Sequence, residues 1–204
     1  ESKGVSGSAI QVLEALLRLR QIACHPGLVD KEWEAAGSAK LESFFEQMAE
    51  VLEEGHKLIV FSQFTKLLAY VREHLDAKDA TYAYLDGKTR DRGSVVERFQ
   101  TDPDTNLFLI SLKAGGLGLN LTAAGYVFLL DPWWNPAAEN QAVSRAHRIG
   151  QDKQVFVYRF ITEDSIEEKI QLLKERKTSL ADRFINSNNP FKEITKEEIL
   201  ELFK

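Results

Sequence analysis

From residue 57 to residue 161, short apolar runs alternate with helix-length amphipathic stretches, and this alternation restricts the fold more than any other feature. The runs Lys57–Phe61, Tyr82–Leu85, Leu107–Leu112, Tyr126–Leu130 and Val155–Ile161 read as strands. Helices are expected between them, near 65–77, 91–100, 115–120 and 137–148. Strands that are apolar throughout, with no polar alternate face, are covered on both sides. Strand–helix alternation therefore predicts an α/β domain with a mostly parallel sheet and helices on both faces. In such sheets functional residues collect beyond the carboxyl ends of the strands.

Helical segments flank this core. Residues 8–24 carry Ile10, Val12, Leu13, Leu16, Leu17, Leu19 and Ile22 at helical spacing, and His25-Pro26-Gly27 stops them. Residues 30–37 read as a loop. Ser38 is an N-cap candidate for a helix over 39–54 that Gly55 ends. After Ile161 a long charged helix is expected over 164–184, then a break at Ser187-Asn-Asn-Pro190 and a short helix over 196–203. The organisation expected is a helical lead-in (1–37), the α/β domain (38–162) and C-terminal helices (163–204).

Composition narrows the class. No apolar run approaches the ~20 residues that span a bilayer. Glu1–Ile10 has no cationic segment followed by an apolar one, so no secretory signal is read. The chain does not begin with Met, which points to a fragment or a processed product. The single cysteine, Cys24, excludes an intrachain disulfide and fits a reducing compartment; it reads as a small buried residue at a helix end. The net charge of −5 argues weakly against nucleic acid, although a local basic strip can bind phosphate on an acidic protein.

Three segments that follow strands carry chemistry. In Phe61-Ser-Gln-Phe64, Ser62 and Gln63 sit where small polar groups can donate to phosphate oxygens, or where Ser62 can cap the next helix. In Ser111-Leu-Lys-Ala-Gly-Gly-Leu-Gly-Leu-Asn120, glycines allow close backbone approach and the amides suit an anion, unless the segment is simply a turn. It fits neither the phosphate-loop nor the dinucleotide pattern. In Gln141-Ala-Val-Ser-Arg-Ala-His-Arg-Ile-Gly-Gln151, residues 141, 145 and 148 share one helical face. Two always-charged arginines beside an amide suit a multi-oxygen anion and stabilise a transferring phosphoryl group; a solvated basic face is the alternative. The loop Asp131-Pro-Trp-Trp-Asn-Pro136 offers aromatics for the core or for nucleic acid. Ser144 and His147 have no triad partner, which leaves no catalytic set for an independent enzyme.

In this order the segments resemble the second half of a Swi/Snf-type ATPase, within the superfamily-two helicases. Lys57–Phe64 looks like motif IV, Leu85-Asp-Gly-Lys-Thr89 like motif IVa, Leu109–Asn120 like motif V, and Gln141–Gln151 like motif VI. Leu19–Pro26 and Asp131–Pro136 are also similar to that family. The resemblance implies a RecA-like three-layer lobe in which Arg145 and Arg148 are arginine fingers supported by Gln141. It implies that Gly118 and Asn120 lie near the ribose, although many helicase relatives carry Asp at position 120. Ser62, Gln63, Lys88, Thr89, Ser111, Lys113 and Trp134 would grip duplex DNA, and the 164–184 helix would brace a first lobe.

The sequence holds no Walker A loop and no D-E-x-H-type motif, so ATP and magnesium would be held mainly by that first lobe. The expected whole is an intracellular DNA translocase or remodeller acting on a protein–DNA assembly, with no membrane partner. This chain alone is expected to be inactive as an ATPase. A non-catalytic nucleic-acid or protein-binding RecA-like module is the alternative.

Overall fold

Each apolar run becomes a strand in the computed structural model, which describes residues 2–115, 119–133, 136–146 and 154–181. Gly118, Trp134, Arg148, the break at 187–190 and the helix expected over 196–203 lie outside the described residues. The chain divides into two compact units: Ala39–Phe160, and Glu1–Ser38 together with Ile161–Lys204.

The first of these is the α/β unit. Its strands are β1 (Leu58–Ser62), β2 (Ala83–Leu85), β3 (Leu107–Ser111), β4 (Tyr126–Leu129) and β5 (Phe156–Arg159). They form a five-stranded sheet in the order β2-β3-β1-β4-β5. Every pairing is parallel. The helices are α2 (Ala39–Glu53), α3 (Thr65–Asp76), α4 (Arg92–Thr101), α5 (Leu112–Gly115) and α6 (Pro136–Val143). This is the parallel α/β sheet expected from the alternation, in the RecA-like form that the resemblance implies. The central strands β1 and β3 are buried at every residue, which is why their sequences show no polar face.

Helices cover the sheet through apolar stripes. α2 buries Leu41, Phe44, Met48 and Val51, and Phe44 meets Phe128 and Phe160 edge-on at 6.2 and 5.7 Å. α3 buries Leu67, Leu68, Val71 and Leu75. Gly55 ends α2 at φ 76°, where His56 N donates to Val51 O and Gly55 N to Leu52 O. That pair of bonds satisfies the last helical carbonyls and needs a left-handed residue.

Helix bounds differ from expectation at three places, the first being the N-terminal helix, which begins at Ser2 rather than at residue 8. The short helix expected near 115–120 is described at Leu112–Gly115, and residues 119–120 are not helical. The helix expected to run to Arg148 ends at Val143, and Ser144–Ala146 form a tighter turn. There Arg145 N donates to Ala142 O and Ala146 N to Val143 O, bonds that span three residues rather than four.

In the other unit, α1 (Ser2–Cys24) is followed by tight turns at Pro26–Leu28 and Lys31–Trp33, and α7 spans Ile166–Ala181. The start of α7 is tied to the end of α1. Thr162 Oγ1 donates to Ala23 O at 2.7 Å. The buried Glu167 carboxylate accepts from Cys24 Sγ at 3.2 Å and from Thr162 N at 3.1 Å. Cys24 is fully buried at the helix end, as its sequence context suggests. No helix among the described residues is long and apolar enough to cross a membrane.

Candidate functional site

Strand register brings the candidate segments to one edge. Ser62 is level with Ser111, Phe61 with Leu129, and Leu85 with Ile110. The residues that follow these strands therefore emerge side by side at the carboxyl end of the sheet.

Asp131 organises the middle of that edge. Its carboxylate is fully buried and accepts from Ser62 Oγ at 2.5 Å and from Gln63 N at 3.0 Å. Gln63 Nε2 reaches Pro132 O at 3.4 Å. Lys40 Nζ, itself buried, donates to Leu130 O at 3.0 Å, one residue before Asp131. Trp133 is buried edge-on against Phe61, 6.3 Å between ring centroids. A buried carboxylate is stable only when its oxygens are donated to, and these contacts meet that demand.

Beyond β2, Asp86 builds the next turn. Its Oδ1 accepts from Lys88 N at 2.8 Å and Thr89 N at 3.1 Å. Burial would raise the Asp86 carboxyl, but the Lys88 amide, the Tyr84 hydroxyl and the Thr89 donors outweigh it and hold it below the usual carboxylate range. Lys88 is exposed and Thr89 half-buried.

Beyond β3, the Ser111 hydroxyl is buried and makes no hydrogen bond among the described residues. Gln100 of α4 clamps the segment that follows: its Nε2 donates to Asn120 O at 3.1 Å and its Oε1 accepts from Ala123 N at 2.8 Å. Leu121 N then donates to Arg145 O at 3.1 Å. The residue that follows Asn120 is thus joined to the arginine segment through the backbone.

Residues 40–150 match the helicase conserved C-terminal domain. The chain is 31% identical to the Sulfolobus solfataricus SWI2/SNF2 ATPase C-terminal domain, with a TM-score of 0.73, covering 94% of this chain and 80% of that one. The chain belongs to the SWI2/SNF2 branch of the helicase C-terminal domains. The Sulfolobus solfataricus SWI2/SNF2 ATPase core in complex with dsDNA is 32% identical at a TM-score of 0.76, covering 94% of this chain and 41% of that one. The putative ATP-dependent helicase/translocase YwqA of Bacillus subtilis is 41% identical over 199 residues, 94% of this chain and 22% of that protein. DNA repair protein rad8 of Schizosaccharomyces pombe is 43% identical over 151 residues, 72% of this chain and 13% of that protein. The chain therefore spans about a fifth or less of these two relatives.

Within this SWI2/SNF2 lobe the sequence candidates divide. Gln63, Lys88, Thr89 and Ser111 do emerge along one sheet edge. Lys113 lies in α5, its side chain outside the described set. Ser62 departs from the expected phosphate contact: it is fully buried and its hydroxyl goes to Asp131, while it accepts from Phe64 N at 3.0 Å. Nor does it cap α3, whose N-cap is Phe64 with no side-chain cap bond. Gln141 and Arg145 also depart from a common exposed face: Gln141 is exposed, whereas Arg145 is 5% exposed. The tightened turn after Val143 rotates Arg145 away from the direction an α-helix would give it. Asn120 is exposed.

Asp131 and Gln100 were missed by sequence reasoning. Asp131 sits in a segment read for its tryptophans, and Gln100 bridges twenty or more residues that no local pattern connects.

Proposed function

We propose that this chain is the second lobe of an ATP-dependent DNA translocase or remodeller. In this reading it supplies Arg145 and Arg148 to ATP and magnesium held on a first lobe. Gln141 supports the arginines, and Gly118 and Asn120 lie near the ribose. Gln63, Lys88, Thr89, Ser111, Lys113 and Trp134 grip the phosphates of duplex DNA, and α7 braces the first lobe. Ser62 drops out of the grip because its hydroxyl serves Asp131.

The observation that carries the reading is the backbone bond from Leu121 N to Arg145 O. It ties the backbone of the first arginine to the residue that follows Asn120, which supports a reading in which the arginine and the glycine-rich segment serve one anion. In this reading two guanidinium groups offset charge developing on a transferring phosphoryl group. Ser111 adds support: its buried hydroxyl makes no hydrogen bond among the described residues, and a phosphate oxygen would relieve the cost of that. ATP bound on the first lobe would draw the two lobes together, and each closure would shift the grip on DNA. Grip through phosphates makes binding salt-sensitive and largely independent of sequence.

The test is Arg145→Ala and Arg148→Ala in the full-length protein. Each is expected to lower DNA-stimulated ATP turnover by ~10³ or more with DNA affinity retained. One observation favours a second reading, a non-catalytic nucleic-acid or protein-binding module: Arg145 is packed into its own lobe. Unchanged turnover in both variants would establish that reading instead.

A further inference from the structure

The turn after β2 is tied into the body of the lobe by a continuous set of side chains. Asp86 uses Oδ1 for the amides of Lys88 and Thr89, and Asp86 N donates to Thr89 Oγ1 at 3.0 Å. Its other oxygen, Oδ2, accepts from the Tyr84 hydroxyl at 3.1 Å. The Tyr84 ring is covered in turn by Arg72 of α3, whose guanidinium carbon lies 4.4 Å from the ring centroid. Arg72 Nε donates to Tyr82 Oη at 3.2 Å, and Tyr82 Oη donates to Asp76 Oδ1 at 2.7 Å. A helix, an edge strand and a turn are thus joined through five side chains.

What the turn presents is Lys88. Its side chain is exposed and makes no hydrogen bond or ion pair within the described residues, while its backbone amide is held by Asp86. A turn that contains Gly87 has much backbone freedom to lose. Loss of that freedom on binding weakens affinity, and prior ordering avoids it.

We propose that Tyr84 and Asp86 are positioning residues for Lys88, fixing the turn in the shape that carries the Lys88 ammonium to a DNA phosphate. This rests on the DNA-gripping reading of Lys88 given above. Neither residue touches DNA itself. Tyr84 acts through Asp86, and Asp86 acts through the backbone of the turn. Arg72 keeps the phenol ring in place, so loss of the hydroxyl alone leaves the packing intact.

The experiment measures duplex affinity of the full-length protein at several salt concentrations, for Tyr84→Phe, Lys88→Ala and the double variant. Lys88→Ala is expected to weaken binding and to reduce the slope of log affinity against log salt by about 0.9, the loss of one neutralised phosphate. Tyr84→Phe is expected to weaken binding about threefold to tenfold, the effect of one hydrogen bond, with the salt slope unchanged because Lys88 still reaches its phosphate. In the Lys88→Ala background Tyr84→Phe is expected to have a smaller effect, what remains being the share carried by Thr89 on the same turn. Asp86→Asn should show the same dependence on Lys88. If Tyr84→Phe weakens binding equally in both backgrounds, its role is general stability and the proposal is overturned. If Lys88→Ala matters and Tyr84→Phe does not, the proposal fails alone. If Lys88→Ala leaves affinity and salt slope unchanged, the DNA reading of Lys88 fails and the proposal falls with it.

Discussion

Lys57 Nζ lies 2.8 Å from each of three carbonyl oxygens, those of Phe99, Asp102 and Thr105. These carbonyls belong to the end of α4 and the bend that leads into β3, so one ammonium closes a helix terminus and orders the approach to the central sheet. Burial lowers the Lys57 ammonium below its ordinary range, with Asp102 partly opposing the shift. Lys57→Met keeps the stem but strands three acceptors. It is expected to lower the unfolding free energy of the chain by about 2 kcal/mol, seen as a drop in the denaturant midpoint at unchanged m-value. An unshifted midpoint would show that water replaces the ammonium at no cost. Sequence gave no sign of this role. Lys57 reads as the first residue of an apolar strand, and its acceptors lie more than forty positions away. The same limit applies to Ser62. Local sequence offers phosphate donor or helix cap, yet the hydroxyl goes to Asp131, 69 residues distant, and Phe64 is the N-cap of α3. Trp133 turns out buried against Phe61, the commoner fate of a large aromatic.

Among the elements, α6 matters most because it leads into the arginine segment. It is held to β5 by a pair between Arg159 Nε and Glu139 Oε1 at 2.5 Å, with the Glu139 side chain 7% exposed and that of Arg159 38% exposed. Arg159→Leu would leave a buried carboxylate short of its cation. The expected cost is about 2 kcal/mol, less than for a fully buried pair because Arg159 is partly in water. Arg159→Leu with Glu139→Leu should recover most of that loss in thermal melting, since the unsatisfied charge goes with its partner. A double variant no more stable than the single one would mean that the pair is not what anchors α6. At this scale the sequence was largely legible. Strands such as 107–111 and 126–129 lie within a residue or two of their apolar runs, because a strand buried on both faces leaves no polar alternation to blur it. Helix termini were less legible. The turn at Ser144–Ala146 forms where the chain passes Leu121, and that tertiary bond leaves no trace in helical periodicity. Likewise the apolar stripe of α1 predicted a helix, yet Leu17, Leu19 and Ile22 remain exposed while Leu16 is buried.

At the scale of the whole molecule, the proposed function gives this chain the arginine half of an ATP site, and the sequence holds neither a Walker A loop nor an acidic magnesium motif. An arginine finger raises the rate ~10³–10⁵ only where the γ-phosphate, metal and attacking water are already aligned. Without those parts the guanidinium groups meet ATP as they would any polyanion, and nothing orients a water in line with the leaving group. The net charge of −5 further disfavours unspecific capture of a nucleotide by the chain as a whole. The pure chain is therefore expected to release phosphate from ATP no faster than a buffer blank, with or without saturating duplex DNA. Arg145→Ala should change nothing in that assay, although it should abolish turnover in the full-length protein. Both measurements are needed, because a contaminating ATPase would also release phosphate but would ignore the substitution. DNA-stimulated release by the chain that disappears in Arg145→Ala would mean that this lobe assembles a complete site by itself, and the two-lobe division of labour would have to be abandoned.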